Sequence, residues 1–187
     1  MRDCTGGDVI TLRVEVDGGR VFNIGDSPRA EIEITTPSNT AVEIRSGNGG
    51  VEVYGLKQSG TVCASNGRII LDKVAREFNV ATSNGIVVIT GARVPFDVEI
   101  NNNGIEFDGE LIKGSSNKIA TSNGSIDISL QGASSVMLDA STSNGSIETE
   151  YWILTSSPGD EHHLVKTIGA GEAELIVRTS NGSVAIR

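Results

Sequence analysis

Residues 121–126, Thr-Ser-Asn-Gly-Ser-Ile, return as Thr142-Ser143-Asn144-Gly145-Ser146-Ile147 and again as Thr179-Ser180-Asn181-Gly182-Ser183-Val184. Close variants fill the chain upstream: Ser46-Gly47-Asn48-Gly49, Ala64-Ser65-Asn66-Gly67, Thr82-Ser83-Asn84-Gly85 and Asn101-Asn102-Asn103-Gly104. Seven copies form a repeat, and a repeat decides the architecture before any single element is considered. Aligning the fourth copy on Asn102 keeps its flanking apolar residues in phase with the rest. The copies then fall at Asn48, Asn66, Asn84, Asn102, Asn123, Asn144 and Asn181, at intervals of 18, 18, 18, 21, 21 and 37. The last interval reads as two units of 18 and 19 residues, one of which has lost its Asn-Gly, and Ser38-Asn39-Thr40 reads as a degenerate earlier copy.

One apolar code surrounds each Asn, with inward positions four and two places before it and three and five places after it. Around Asn84 these are Val80, Thr82, Val87 and Ile89; around Asn123 they are Ile119, Thr121, Ile126 and Ile128. The intervening positions are mostly polar, as in Ser125, Asp127 and Ser129. Each arm therefore alternates with period two, the mark of a strand with one buried face. The buried parity switches across Asn-Gly, which requires a corner there, and a corner favours residues that tolerate positive φ.

Two architectures fit. In a parallel β-solenoid each unit of about 18–21 residues is one rung, and the corner Asn side chains stack as an amide ladder. In a row of β-hairpins, Asn-Gly is the two-residue type I′ loop. The near-constant period favours the solenoid, because a rung must close on its own length. Lys113-Gly114-Ser115-Ser116-Asn117 is where three extra residues lengthen the unit from 18 to 21, and Gly55, Gly91 and Gly109, seven places after Asn, mark another corner. Leu71, Val74, Ala75 and Phe78 have helical spacing but fall inside a standard unit, so a corner is expected there. The whole chain, 1–187, reads as a single all-β solenoid domain: 1–38 an N-terminal cap hairpin region, 39–150 regular repeats, and 151–187 an irregular rung with a C-terminal closing repeat. Ile10, Leu12, Val14 and Val16, then Asp17-Gly18-Gly19, supply the cap; Leu164 to Arg187, turning at Gly169-Ala170-Gly171, is expected to pair as a closing hairpin. Seven rungs at ~4.8 Å make a rod core roughly 33 Å long.

Composition narrows the function classes. There are 15 Lys plus Arg against 24 Asp plus Glu, a net charge of −9, so no basic stripe is available to neutralise phosphates. Nucleic acid and anionic membrane surfaces are disfavoured as partners. The longest apolar runs are four residues, such as Tyr151-Trp152-Ile153-Leu154, far below the ~18 or more a membrane helix needs. No charged-then-apolar leader precedes Asp8, which leaves either a cytosolic chain or the mature part of a longer one.

A search for chemistry returns little. The metal-ligand types outside the carboxylates are Cys4, Cys63, His162 and His163, with no CxxC or HExxH spacing, so no metal site is assigned and no cofactor is implied. His162-His163 reads as part of a solvated loop, and Cys4 and Cys63 as one disulfide or two free thiols. No Gly-x-Ser-x-Gly or phosphate-binding loop occurs. Polysaccharide-cleaving β-helices use paired carboxylates, but Glu43, Glu52, Asp127 and Glu148 are scattered singly, as on a solvated strand face. The recurrent Thr82, Thr121, Thr142 and Thr179 could form an ice-ordering row, yet their parity is that of the buried Ile and Val. The three Asn-Gly-Ser triplets match the glycosylation sequon but are products of the repeat. Tyr151-Trp152, beside the irregular stretch 155–163, is the candidate partner-binding spot.

The recurring Thr-Ser-Asn-Gly-Ser-Ile and Thr-Ser-Asn-Gly-Ser-Val resemble the adhesin-type family of unknown function DUF4097, related to DUF2807 and the toastrack domains. The resemblance spans roughly residues 42–187. It implies a right-handed parallel β-helix of the bacterial or archaeal envelope that acts in adhesion or in assembling membrane complexes, and it supplies no catalytic residue. The expected function is thus a non-enzymatic, extracytoplasmic module at the cell surface or in the periplasm, anchored through a segment absent from this sequence. Its partner would be a surface protein or glycan. The alternative is a self-assembling structural scaffold built by end-to-end stacking; a carbohydrate-active enzyme ranks third.

Overall fold

A computed structural model describes residues 32–93, 95–132, 135–151 and 162–187. Most of the expected N-terminal cap, including Ile10 to Val16 and Cys4, lies outside the described residues, as does Trp152. The strands are β1 Val42–Asn48, β2 Val51–Tyr54, β3 Gly60–Asn66, β4 Ile69–Asp72, β5 Phe78–Asn84, β6 Val87–Ala92, β7 Phe96–Asn102 and β8 Ile105–Gly109. They continue as β9 Ser116–Asn123, β10 Ile126–Leu130, β11 Val136–Asn144, β12 Ile147–Thr149, β13 His163–Ile168, β14 Ala173–Asn181 and β15 Val184–Ile186.

The two strands flanking each Asn-Gly do not pair with each other; they enter two different parallel sheets. That removes the hairpin alternative. The chain is a β-solenoid, in which each rung contributes one strand to a sheet of order β1-β3-β5-β7-β9-β14-β11-β13 and one to a sheet of order β12-β15-β10-β8-β6-β4-β2. The predicted register holds in the ladders. Asn48 faces Asn66, Asn66 faces Asn84, Asn84 faces Asn102 and Asn102 faces Asn123, so Asn102 rather than Asn103 is the repeat position.

The apolar code becomes a stack of like side chains between the sheets. Ile44, Val62, Val80, Val98, Ile119 and Val177 follow one another across one sheet. Val53, Leu71, Ile89, Phe107 and Ile128 do so across the other. Each such side chain removed from water contributes about 1.5–3 kcal/mol. Where the column needs a ring, its neighbour shrinks: a Cβ on Gly60 would lie 2.4 Å from Phe78 Cε1. Phe96 and Phe107 meet across the core with ring centroids 4.5 Å apart. Two of the expected outer corners are present, Gly55 at φ 67° and Gly91 at 58°, and Lys73 takes the same place in its rung at 54°; Gly109 instead closes β8 in register with Ala92 and has no positive φ. The stretch from Leu71 to Phe78 leaves β4, turns and enters β5 without forming a helix.

The far end departs from the sequence reading. The interval of 37 residues between Asn144 and Asn181 does not hold two rungs. Instead β13 runs antiparallel along the outer edge of β11, and β14 returns on the other side of β11, in parallel register with both β11 and β9. The last rung in the chain, β14–β15, is therefore the sixth in space, inserted between the rungs β9–β10 and β11–β12. The expected closing hairpin is not formed, because β11 lies between β13 and β14. The turn at Gly169 and Gly171, with φ of 63° and 67°, carries the chain past the start of β11. There Ser135 Oγ accepts hydrogen bonds from the N–H groups of Ala170 at 2.8 Å and Glu172 at 3.2 Å.

Beyond the first rung the Asn-Gly corners stack so closely that each Gly after a ladder Asn has no room for a Cβ. A Cβ on Gly124 would fall 1.9 Å from Asn103 O, and one on Gly182 2.0 Å from Gly124 O. Asn103 occupies that slot in its rung only by adopting a φ of 92°. Gly47, one place before Asn48, has nothing within 4 Å of an added Cβ. Gly124→Ala is expected to lower stability by about 3 kcal/mol or more, and Gly47→Ala to change it by less than about 0.5 kcal/mol, in urea unfolding followed by circular dichroism.

Candidate functional site

The seven corner Asn side chains form one continuous ladder in the spatial order Asn48, Asn66, Asn84, Asn102, Asn123, Asn181, Asn144. In each step a side-chain Nδ2 donates to the Oδ1 of the preceding rung: 2.8 Å from Asn66 to Asn48, 2.9 Å from Asn84 to Asn66 and 2.7 Å from Asn102 to Asn84. The row continues at 3.0 Å from Asn123 to Asn102, 2.8 Å from Asn181 to Asn123 and 2.9 Å from Asn144 to Asn181. All donors point the same way, so the amide dipoles add along the rod. The ladder is exposed, and beside it runs a second exposed row formed by the residues before each Asn, among them Ser65, Ser83, Ser122, Ser180 and Ser143. Together they make a straight polar ridge repeating once per rung.

Beneath the ridge lie the recurrent Thr residues. Thr82, Thr121, Thr142 and Thr179 are 5–6% exposed, which places them in the core and removes the ice-ordering row. Three of them donate to the corner carbonyls of the rung below: Thr121 to Asn103 O at 3.1 Å, Thr179 to Gly124 O at 3.0 Å and Thr142 to Gly182 O at 2.9 Å. These are the carbonyls that exclude a Cβ above them. The hydroxyl therefore satisfies an acceptor that an aliphatic side chain would leave buried.

At the far end, Arg178 on β14 grips Asp139 on β11 through both carboxylate oxygens, at 2.9 and 2.5 Å, and donates to the Asp139 carbonyl at 2.7 Å. His163 Nε2 on β13 lies 2.9 Å from Asp139 Oδ1. One carboxylate thus ties together the three strands of the non-sequential return. The Arg178 hydrogen bonds, reinforced by His163 and opposed by partial burial, hold the Asp139 carboxyl below the usual aspartate range. Sequence reading missed this cluster: its members come together only once β14 is placed beside β11, and no spacing along the chain announces that.

Tyr151, singled out as a partner-binding residue, is half-buried against the core, and its hydroxyl donates to Leu130 O at 3.3 Å. Burial and the neighbouring Glu150 charge push its phenol up. Its packing makes it a cover over the end rungs. The acids considered as catalytic candidates stay apart on open strand faces. Glu43 pairs with Arg45, Glu52 accepts from the Tyr54 hydroxyl, Asp127 stands opposite Glu106 across the ladder, and Glu148 lies on β12. Two shallow open clefts lie elsewhere: one of about 240 Å³ bounded by Arg93, Glu110, Lys113 and Glu172, and one of about 280 Å³ above Cys63, Ala81 and Glu99. In the first, the cations are engaged by Arg93–Glu110 and Lys113–Glu172 ion pairs. Among the described residues no group of three or more His, Cys, Asp or Glu side chains is placed to hold a metal ion. No helix among them is long and apolar enough to cross a membrane.

Compared with known proteins, residues 5–187 match the family model described as Toastrack DUF4097. No curated protein and no solved structure matches.

The Asp139 clasp has a definite pH signature. A carboxyl whose pKa is lower folded than unfolded adds stability above its unfolded pKa, and the contribution fades as pH falls through the folded value. Asp139→Asn is expected to lower stability at pH 7 by about 1 kcal/mol, the scale of a half-exposed bidentate pair. The gap from the parent chain should close progressively below about pH 4. Urea unfolding of both chains across that range checks it, and a gap independent of pH would contradict the assignment.

Proposed function

The chain belongs to the Toastrack DUF4097 family, and on that premise we propose that it is a non-enzymatic, adhesin-like module of the cell envelope, presenting its polar ridge to a surface protein or glycan or holding together a membrane complex. The observation that carries this reading is the ridge itself. Exposed Asn and Ser rows at constant rung spacing offer many equivalent hydrogen-bonding groups on a rigid support. Each contact is weak, but a rigid row lets neighbouring contacts act together without a further ordering cost. Along the row the Asn amides bond one another, and Asn102, Asn123 and Asn181 also donate to the carbonyls of Ser83, Asn101 and Ser122; each Oδ1 keeps a lone pair for a ligand, and the exposed Ser hydroxyls add donors.

The remaining features fit the same reading. A net charge of −9 supports partners other than polyanions. At the far end the antiparallel β13 covers the outer edge of β11. It interrupts the parallel ladder there, so lateral display fits better than the end-to-end filament of the self-assembling alternative.

Two measurements test the proposal together. Fractionation of native cells is expected to place the chain with the envelope; recovery in the cytosol contradicts the reading. Purified chain is expected to bind washed envelope saturably, and Ser122→Lys with Ser180→Lys, which put two bulky charges into the ridge, should weaken that binding at least roughly tenfold. Unchanged binding by the double variant moves the interaction off the ridge.

A further inference from the structure

The chain contains seven Asn-Gly dipeptides, beginning at Asn48, Asn66, Asn84, Asn103, Asn123, Asn144 and Asn181. An Asn followed by Gly is chemically labile, because the Gly nitrogen carries the next residue without a Cβ to hinder its attack on the Asn side-chain carbonyl carbon. Attack requires a Gly N–H that is free to lose its proton and an Asn side chain free to swing onto it. The solenoid sets two of the seven dipeptides apart on the first count, and one of those two on the second as well.

In five of them the Gly N–H is held by a corner carbonyl of the adjacent rung. Gly49 donates to Asn66 O at 2.9 Å, Gly67 to Asn84 O at 3.0 Å, Gly85 to Asn102 O at 3.3 Å, Gly124 to Asn181 O at 2.9 Å and Gly182 to Asn144 O at 2.9 Å. The Asn side chains of the same five are members of the ladder. The other two differ. Asn103 sits one place past the ladder position, which Asn102 fills, and takes a φ of 92°. Among the described residues no backbone carbonyl accepts from Gly104 N–H. Asn144 ends the ladder: it donates to Asn181, and among the described residues its Oδ1 receives no donor and no backbone carbonyl accepts from Gly145 N–H. Both Asn side chains are exposed.

We propose that Asn103 and Asn144 are the deamidation sites of this protein, and that the inter-rung hydrogen bonds of the Gly N–H groups shield the other five. At each site the Gly nitrogen forms a bond to the Asn Cγ, the bond from Cγ to the amide nitrogen breaks, and ammonia leaves with the proton from the Gly N–H. The resulting succinimide takes up water at either carbonyl, giving an aspartyl or isoaspartyl residue, and no oxidant or further reactant is needed. The two sites differ in consequence. At position 144 the product loses the donor to Asn181 Oδ1 and places a carboxylate against that oxygen, and the isoaspartyl form lengthens the corner between β11 and β12. At position 103 no ladder bond is lost.

The test uses the intact chain. It is held at mildly alkaline pH, in native buffer and in concentrated urea, and sampled by peptide mapping with detection of isoaspartate. In native buffer Asn103 and Asn144 are expected to convert at least roughly tenfold faster than any of the other five, because those must open locally first. In urea the seven rates should draw together. Native conversion at Asn103 or Asn144 no faster than at the other five overturns the proposal, and so does a spread of rates that persists in urea, which would trace it to local sequence alone.

Discussion

Two backbone corners stacked one rung apart, with strands ~4.8 Å from their neighbours, leave no volume for a side chain between them. This close approach is what the rest of the solenoid depends on. It demands Gly after the ladder Asn in five of the rungs, where the carbonyl of the corner beneath stands about 2 Å from where a Cβ would be, and Asn103 fills the slot in its rung with a φ of 92°. It also brings the preceding Asn side chains within hydrogen-bond reach, so the residue that closes one rung also fixes its register on the next. A slip of one residue would break the amide row and turn every Ile and Val of the rung to water. The hydroxyls of Thr121, Thr179 and Thr142 complete the device in their rungs, because the corner carbonyls face a core that offers few other donors.

Because every rung carries the same corner, any rung can stack on any other, and the chain uses that freedom once. β14–β15 enters between two rungs that precede it in sequence, and the Asn row passes through it without a break. The insertion leaves β11 flanked on both sides by the last part of the chain. Asp139, Arg178 and His163 then clasp the three strands on the outer face, while the Ser135 hydroxyl holds the turn that joins two of them. The outer edge of β11 is thereby covered by a later strand of the same chain, while among the described strands β12 remains an edge of the other sheet. The long polar ridge and the flat sheet faces remain available for contact.

Much of this was legible in the residues. The Asn spacing, the parity change across Asn-Gly and the inward Ile, Val and Thr positions together specified parallel rungs, the register and most of the core. The alignment of the fourth copy on Asn102 followed from its apolar neighbours alone. What could not be read is the order of the last rungs. Sequence separation measures chain length, and 37 residues between Asn144 and Asn181 are equally compatible with two further rungs or with an edge strand and a return. The repeat code is blind to the difference because it is the same in every rung. The Asp139 clasp was hidden for the same reason, and Tyr151, chosen as an aromatic beside the irregular stretch, is partly buried against the core. The reason for the Asn was anticipated as a ladder; the reason for the Gly lay more in crowding between corners than in positive φ alone.

The rung order itself can be settled in solution by nuclear Overhauser contacts among the corner side-chain amides of an isotopically labelled chain. Contacts are expected from Asn123 to Asn181 and from Asn181 to Asn144, with none between Asn123 and Asn144. A direct contact between Asn123 and Asn144 would contradict this rung order, since that would mean the rungs stack in the order of the sequence.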